Sequence, residues 1–253
     1  RAPARAQRTL DHLASATLGP LAALTARLRL ASVLVLVLIL SYRLTDSIWG
    51  PFAFPVYLGA RHYTNDEVAF ASKIFGVGMT IAGVAMAGGF LLRFGRMATL
   101  TFGAVIAAAS NLLYFDLAVG APRIDAFLAA TRLHDVLAIF GIDDRMARLL
   151  VAISGENVAG GFAGAAFVAY LSSIASREYS AVQYALLSSL TLLIGSLGRG
   201  PLGEAIDVEG YAPVFLFTTA LGGIGVAACL LEWARSRLSG DGGAAPARYA
   251  PPS

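Results

Sequence analysis

The sequence predicts an all-α membrane protein built from six transmembrane helices, and two observations carry that prediction. The 253 residues are 57% hydrophobic and 14% charged, with mean hydropathy +0.69, whereas soluble domains run at about 45–50% apolar and about 25% charged. Apolar runs such as Ala31–Leu40, Met97–Tyr114 and Ala212–Trp233 build stretches of the length that a hydrocarbon core demands, about 20 residues per helix.

Taken in order, the spans fall at about 30–58, 67–93, 97–118, 147–174, 181–206 and 211–233. An even number of crossings puts both termini on one side. Eleven arginines flank the spans on that side, among them Arg27, Arg29, Arg93, Arg96, Arg235 and Arg237. Five flank them on the other, Arg61, Arg123, Arg132, Arg145 and Arg148, offset by acids such as Asp66, Glu67, Asp125 and Asp143. Lys and Arg accumulate on cytoplasmic loops, so both termini are expected to be cytoplasmic. The net charge of +3 and pI near 9.2 are thereby accounted for by topology, and no nucleic-acid partner is expected.

Residues 1–29 read as a cytoplasmic basic connector, either a short amphipathic helix broken at Gly19–Pro20 or a solvated linker. Residues 234–253, ending in "GAAPARYAPPS", read as a disordered cytoplasmic tail. Between spans three and four, residues 119–146 alternate Leu, Ile and Phe with Asp, Arg and His at helical spacing. They predict an amphipathic periplasmic insertion lying on the membrane surface. His134 beside Asp135 in that insertion reads as a solvated face rather than a catalytic or ligating pair. Cys229 is the single cysteine and there are three histidines, so no disulfide, metal site or cofactor is expected. The chain opens without Met and without a signal-peptide pattern, and the expectation is a fragment or half-protein.

Several polar residues sit inside or beside the apolar runs: Arg43, Asp46, Lys73, Glu156, Asn157 and Arg199. A central Asp, Lys or Arg costs roughly 2.5–3.5 kcal/mol on insertion scales, so these side chains are expected to face one another or water rather than lipid. Arg43 and Asp46 are three apart on one helix face and can form an ion pair. Desolvating such a pair is costly enough that a role in a pathway is favoured over mere mutual neutralisation. Pro51 and Pro55 are expected to bend the outer part of the same helix, with Trp49 and Tyr57 as interfacial anchors. Lys73 near the outer end of span two is as well explained by snorkelling. Small-residue spacings such as Gly160/Gly164 predict close helix approach. No G-x-S-x-G, H-E-x-x-H or cysteine cluster is present, so an enzyme is not expected.

The segment "GGFLLRFGRMATL" (Gly88–Leu100) resembles the loop motif of the major facilitator superfamily. Gly88, Arg93, Gly95 and Arg96 match it, and Leu92 stands where that motif has Asp. A closer resemblance, over about residues 35–235, joins "SYRLTDS", "SNLLYFDLA", "GENVAGGFAGAAFVAYLSSI" and "YSAVQYALLSSL" to the second half of AmpG-type muropeptide permeases. That resemblance implies the C-terminal six-helix half of a major-facilitator-type transporter, made of two three-helix inverted repeats. It further implies a bacterial inner-membrane carrier for proton symport of anhydro-muropeptides, GlcNAc-anhydroMurNAc with attached peptide, in peptidoglycan recycling. Its partners would be the lipid bilayer, the solute, protons and a missing N-terminal six-helix half, without which transport is not expected. In this superfamily the first helix of each repeat borders the cavity, here spans one and four, which independently carry Arg43/Asp46 and Glu156/Asn157. The expected pathway is therefore Arg43 on a substrate carboxylate or in charge balance, Asp46 and Glu156 as proton carriers, and Asn157 and Gln183 as hydrogen-bonding groups. Lys73 and Arg199 are possible additions. The rival readings are a carrier of another solute, such as a sugar, peptide or acyl-CoA, and a structural membrane subunit.

Overall fold

The structure is a computed structural model that describes residues 32–42, 44–174 and 180–238, with backbone alone at 32, 49, 60, 180–188 and 191. Arg43, the connector 1–29, Arg177 and the tail beyond 238 lie outside the described residues. Among the described residues all regular structure is helical. In chain order these are α1 (Ser32–Tyr42), α2 (Leu44–Trp49), α3 (Asn65–Ala69), α4 (Gly76–Phe94), α5 (Arg96–Ala118), α6 (Pro122–Thr131), α7 (Leu133–Ile139), α8 (Asp144–Ile174), α9 (Ser180–Glu209) and α10 (Tyr211–Leu238). Among the described residues four helices are long and apolar enough to cross a membrane: Asn65–Phe94, Arg96–Ala118, Asp144–Ile174 and Tyr211–Leu238.

Local chemistry sets the boundaries. Thr64 and Glu67 form a reciprocal capping box at the start of α3, with Glu67 N–H donating to Thr64 Oγ1 at 3.2 Å and Thr64 N–H to Glu67 Oε2 at 2.7 Å. The pair satisfies two amides that a helix start leaves without partners. The α4–α5 joint turns on Gly95, whose φ of 79° favours a residue without Cβ. Its N–H closes on the Leu91 carbonyl at 3.0 Å. Gly210, at φ 83°, does the same between α9 and α10.

Span one is not a single continuous helix. After α2 the backbone tightens into a 3-10 turn at Gly50–Phe52, resumes for one short α-helical piece at Ala53–Pro55, and widens into a π turn at Val56–Ala60. Pro51 and Pro55 remove two ladder donors in that stretch, which is why the regular repeat fails there. Span two has its own π turn, Phe70–Phe75, before α4.

Packing is between helix backbones. α8 runs against α4 and α5, α10 against α5 and α1, and α9 against α2. A Cβ on Gly83 of α4 would strike the Val158 backbone of α8, and one on Gly161 would strike Thr80, so these two glycines set the α4–α8 crossing. Gly160, expected from its spacing to do this, has nothing within 4 Å. A single residue of register separates the packing glycine from the idle one, and composition does not record register.

Among the described residues three apolar clusters are buried, a small one around Ile48, Leu202 and Val214 and two larger ones. One, at the α5 C-terminal end, gathers Tyr114, Leu117, Ile124, Leu149, Ile153 and Phe215. The other, toward the opposite end, gathers Leu38, Ile39, Leu100, Phe167, Tyr170 and Cys229. Outside them Val77, Ile81, Val84, Leu193, Leu197 and Leu231 are exposed.

Candidate transport pathway

Glu156 is half-buried on α8 and stands in a hydrogen-bonded row drawn from four predicted spans. Its Oε2 accepts from the Tyr114 hydroxyl of α5 at 3.3 Å and from Asn157 Nδ2 at 3.1 Å. The Tyr57 and Tyr114 hydroxyls are 2.6 Å apart. With the Tyr114 proton directed to Glu156, Tyr57 is the donor of that pair. On the other side, Asn157 Nδ2 also donates to the Ile153 carbonyl at 2.9 Å, and its Oδ1 lies 2.9 Å from the Thr80 hydroxyl. That hydroxyl is 3.0 Å from the Gly76 carbonyl as well, so its one proton serves two acceptors. Gly76 makes the room, because a Cβ there would press on the Asn157 amide. In the row Tyr57–Tyr114–Glu156–Asn157–Thr80 the Glu156 carboxyl thus receives two donors, the Tyr114 hydroxyl and the Asn157 amide.

Tyr57 is 3% exposed and Tyr114 wholly buried. Tyr57 was expected as an interfacial anchor; instead the widened turn Val56–Ala60 rotates its ring inward, where it meets Tyr114 at a centroid distance of 6.0 Å.

On the other flank Asp46 is half-buried on α2, and the next residue carries the α9 contact. Pro51 has no N–H to give the carbonyl four residues back, which is Ser47. The Arg199 guanidinium supplies the missing donors, Nε at 3.2 Å and Nη2 at 3.1 Å from Ser47 O. Gly195 and Gly198 let α9 lie on Ser47 and Ile48 closely enough for this reach. Arg199 is therefore bound to backbone beside Asp46. Gln183 falls within α9, and its side chain is outside the described part. Lys73 is exposed on the Phe70–Phe75 turn with Nζ 6.0 Å from the Phe54 ring centroid.

The loop-motif residues are at the far end of α4, away from Glu156. Gly95 supplies the positive φ, Arg93 lies over Phe94 at 5.6 Å and Arg96 begins α5. Gly88 faces open space, and Leu92 is 91% exposed at the motif's acidic position.

Sequence reasoning passed over several further polar groups. Asp116, 2% exposed, accepts from Arg123 N–H at 3.0 Å and Ile124 N–H at 2.8 Å, and so caps α6 from the end of α5. Glu232, 3% exposed near the end of α10, receives Arg235 Nε and Nη2 at 2.7 Å each and the Tyr170 hydroxyl at 3.4 Å. The Glu-x-x-Arg spacing was the available signal for that pair. At the opposite end Arg145 pairs with Glu67 at 2.5 Å and Arg148 with Asp125 at 2.6 Å, tying the start of α8 to α3 and α6. Tyr63 in the adjoining loop donates to the Arg145 carbonyl at 2.9 Å, and burial raises its phenol above the ordinary value of 10, so it remains a neutral donor at physiological pH. His134 and Asp135 are 3.0 Å apart and largely solvent-accessible. Among the described residues no group of three His, Cys, Asp or Glu is placed to hold a metal ion.

Long apolar helices with apolar exteriors and ionisable groups turned inward define a multi-pass, all-helical membrane protein. Its chain is similar to AmpG-type permeases. It is 27% identical over 190 residues to the putative transporter AmpG 4 of Rickettsia conorii, covering 75% of this chain and 40% of that protein. To the anhydromuropeptide permease of Escherichia coli K12 it is 26% identical over 188 residues, covering 74% of this chain and 34% of that protein. The putative transporter AmpG 1 of Rickettsia bellii gives 26% over 191 residues. The chain spans about 40% of the length of the first of these relatives. No protein-family model matches it. The expected resemblance to AmpG-type permeases is borne out, and the relatives are named for transport, not for an enzymatic reaction.

Proposed function

We propose that this chain is the C-terminal six-helix half of an AmpG-like secondary transporter and forms one wall of a proton-coupled pathway for anhydro-muropeptides. The observation that carries the proposal is the row Tyr57–Tyr114–Glu156–Asn157–Thr80, which keeps an ionisable carboxyl inside a membrane bundle among hydrogen-bond partners. An intramembrane acid is costly and is retained where it carries a proton or meets a solute. Glu156 is the proton carrier, with Asp46 as the second. Arg43 receives a substrate carboxylate or balances Asp46, and Asn157 and Gln183 offer hydrogen bonds to the solute. Arg199 and Lys73 flank the path, Arg199 by holding α9 on α2.

The helix pairing supports two inverted three-helix repeats. Span one packs on spans five and six as span four packs on spans two and three, and spans three and six pack on each other. The shorter coverage of the relatives supports a second half that completes the cavity. The bias of loop arginines supports a topology in a bacterial inner membrane with both termini cytoplasmic, 119–146 on the periplasmic side and the motif Gly88, Arg93, Gly95 and Arg96 on the cytoplasmic side. The solute follows the permease relatives.

The test is uptake of labelled anhydro-muropeptide into energised vesicles by the full-length carrier. Asp46→Asn and Glu156→Gln are each expected to abolish proton-driven accumulation. Retention of coupled uptake by both variants would remove the assignment, and uptake of a sugar or acyl-CoA in place of the muropeptide would replace the solute.

A further inference from the structure

A groove of about 600 Å³ opens between α5, α6 and α8, lined by Leu112, Leu113, Ile124, Phe127, Leu133 and Val151. It has the size of a ligand site, and it is not part of the Glu156 row. Its floor is a built feature: Gly155 sits under Leu113, and a Cβ at that position would collide with the leucine methyl. The groove lies on the flank of two helices long and apolar enough to cross a membrane.

The charges at its mouth are unequal. Asp116 is buried and fully engaged with the Arg123 and Ile124 amides. Arg145 and Arg148 nearby are paired with Glu67 and Asp125. The Arg123 guanidinium is exposed at the groove and, among the described residues, has no hydrogen-bond or ion-pair partner. Beyond it α6 and α7 expose Phe127, Val136, Ile139 and Phe140, an apolar face that rests at a membrane interface. A cation above an apolar slot, at the level where helices leave the hydrocarbon, is complementary to a phosphate joined to an acyl chain.

We propose that this groove binds an anionic glycerophospholipid of the adjoining leaflet, with one acyl chain along Leu113 and Val151 and the headgroup phosphate on Arg123. The insertion is thereby docked to the bundle through a lipid as well as through the Asp116 cap.

The full chain in phosphatidylethanolamine vesicles, carrying a trace of phosphatidylglycerol with a photoreactive group in its acyl chain, tests this. Crosslinks are expected at Leu113, Ile124 and Val151, and a phosphatidylcholine probe of the same chain is expected to label them less. Arg123→Glu, which suits the start of a helix, is expected to lower phosphatidylglycerol labelling by at least about fivefold, the effect of losing one basic side chain at an anionic surface, to which the added negative charge contributes further. Val151→Phe, which fills the slot from the α8 wall, is expected to abolish labelling at Leu113 while leaving the helix intact. The proposal is overturned by labelling spread evenly over exposed positions such as Val84 and Leu231, or by equal labelling from both probes that Arg123→Glu leaves unchanged.

Discussion

Span one and α8 solve the same problem in different ways. Both carry ionisable residues through an apolar bundle. α8 is 31 residues of continuous helix, with its mid-helix polarity carried by side chains, chiefly those of Glu156 and Asn157. Span one is broken by Pro51 and Pro55 into α, 3-10 and π pieces, so part of its polarity is backbone, and Arg199 is needed to satisfy it. The continuous helix can present a titrating side chain at a fixed height, whereas the broken one depends on a neighbour for its shape.

Substitutions that break this comparison rank by how much backbone they displace. The largest effect is expected for Gly83→Leu or Gly161→Leu, which force a side chain into the facing backbone of the α4–α8 crossing. Overpacking costs about 1–3 kcal/mol or more, and thermal unfolding in detergent should show a marked loss. Arg199→Met comes next, because it removes both guanidinium hydrogen bonds to the half-buried Ser47 carbonyl, at about 1.5–3 kcal/mol for hydrogen bonding to a charged group. The contrast sharpens in a double-mutant cycle. Pro51→Ala restores the N–H that Ser47 lacks, so Arg199→Met should cost less in that background, and strict additivity would contradict the shared role. Asp116→Ala removes the α6 cap at about 0.5–2 kcal/mol, visible as faster amide exchange at Arg123 and Ile124. Tyr57→Phe, at about 1 kcal/mol for one hydrogen bond, should be the mildest and leave the fold intact.

The same contrast marks where the sequence was legible. Composition and run length announced a membrane bundle because lipid demands both. The amphipathic stretch at 119–146 appeared as α6 and α7 because its periodicity is local. Pro51 and Pro55 pointed to the break in span one, since a missing donor acts wherever it stands. Glu156 and Asn157 were visible as costly residues in an apolar run. Their partners Thr80, Tyr114 and Tyr57 were not, because a hydroxyl is inexpensive in a membrane helix and its significance comes from what faces it. Position alone marks Tyr57 as an anchor, and only the π turn that follows Pro55 carries it inward. Gly161 rather than Gly160 makes the close crossing for the same reason: tertiary register decides which of two adjacent glycines meets a neighbour. Arg199 carried no sign that its target was the backbone at Ser47.

The central claim is that Glu156 carries the coupled proton. The most direct measurement compares two activities of Glu156→Gln in the full-length carrier: accumulation of anhydro-muropeptide driven by a proton gradient, and gradient-free exchange of solute across the same vesicles. Loss of accumulation with exchange retained is the predicted result, whereas accumulation at the level of the unsubstituted carrier would contradict it.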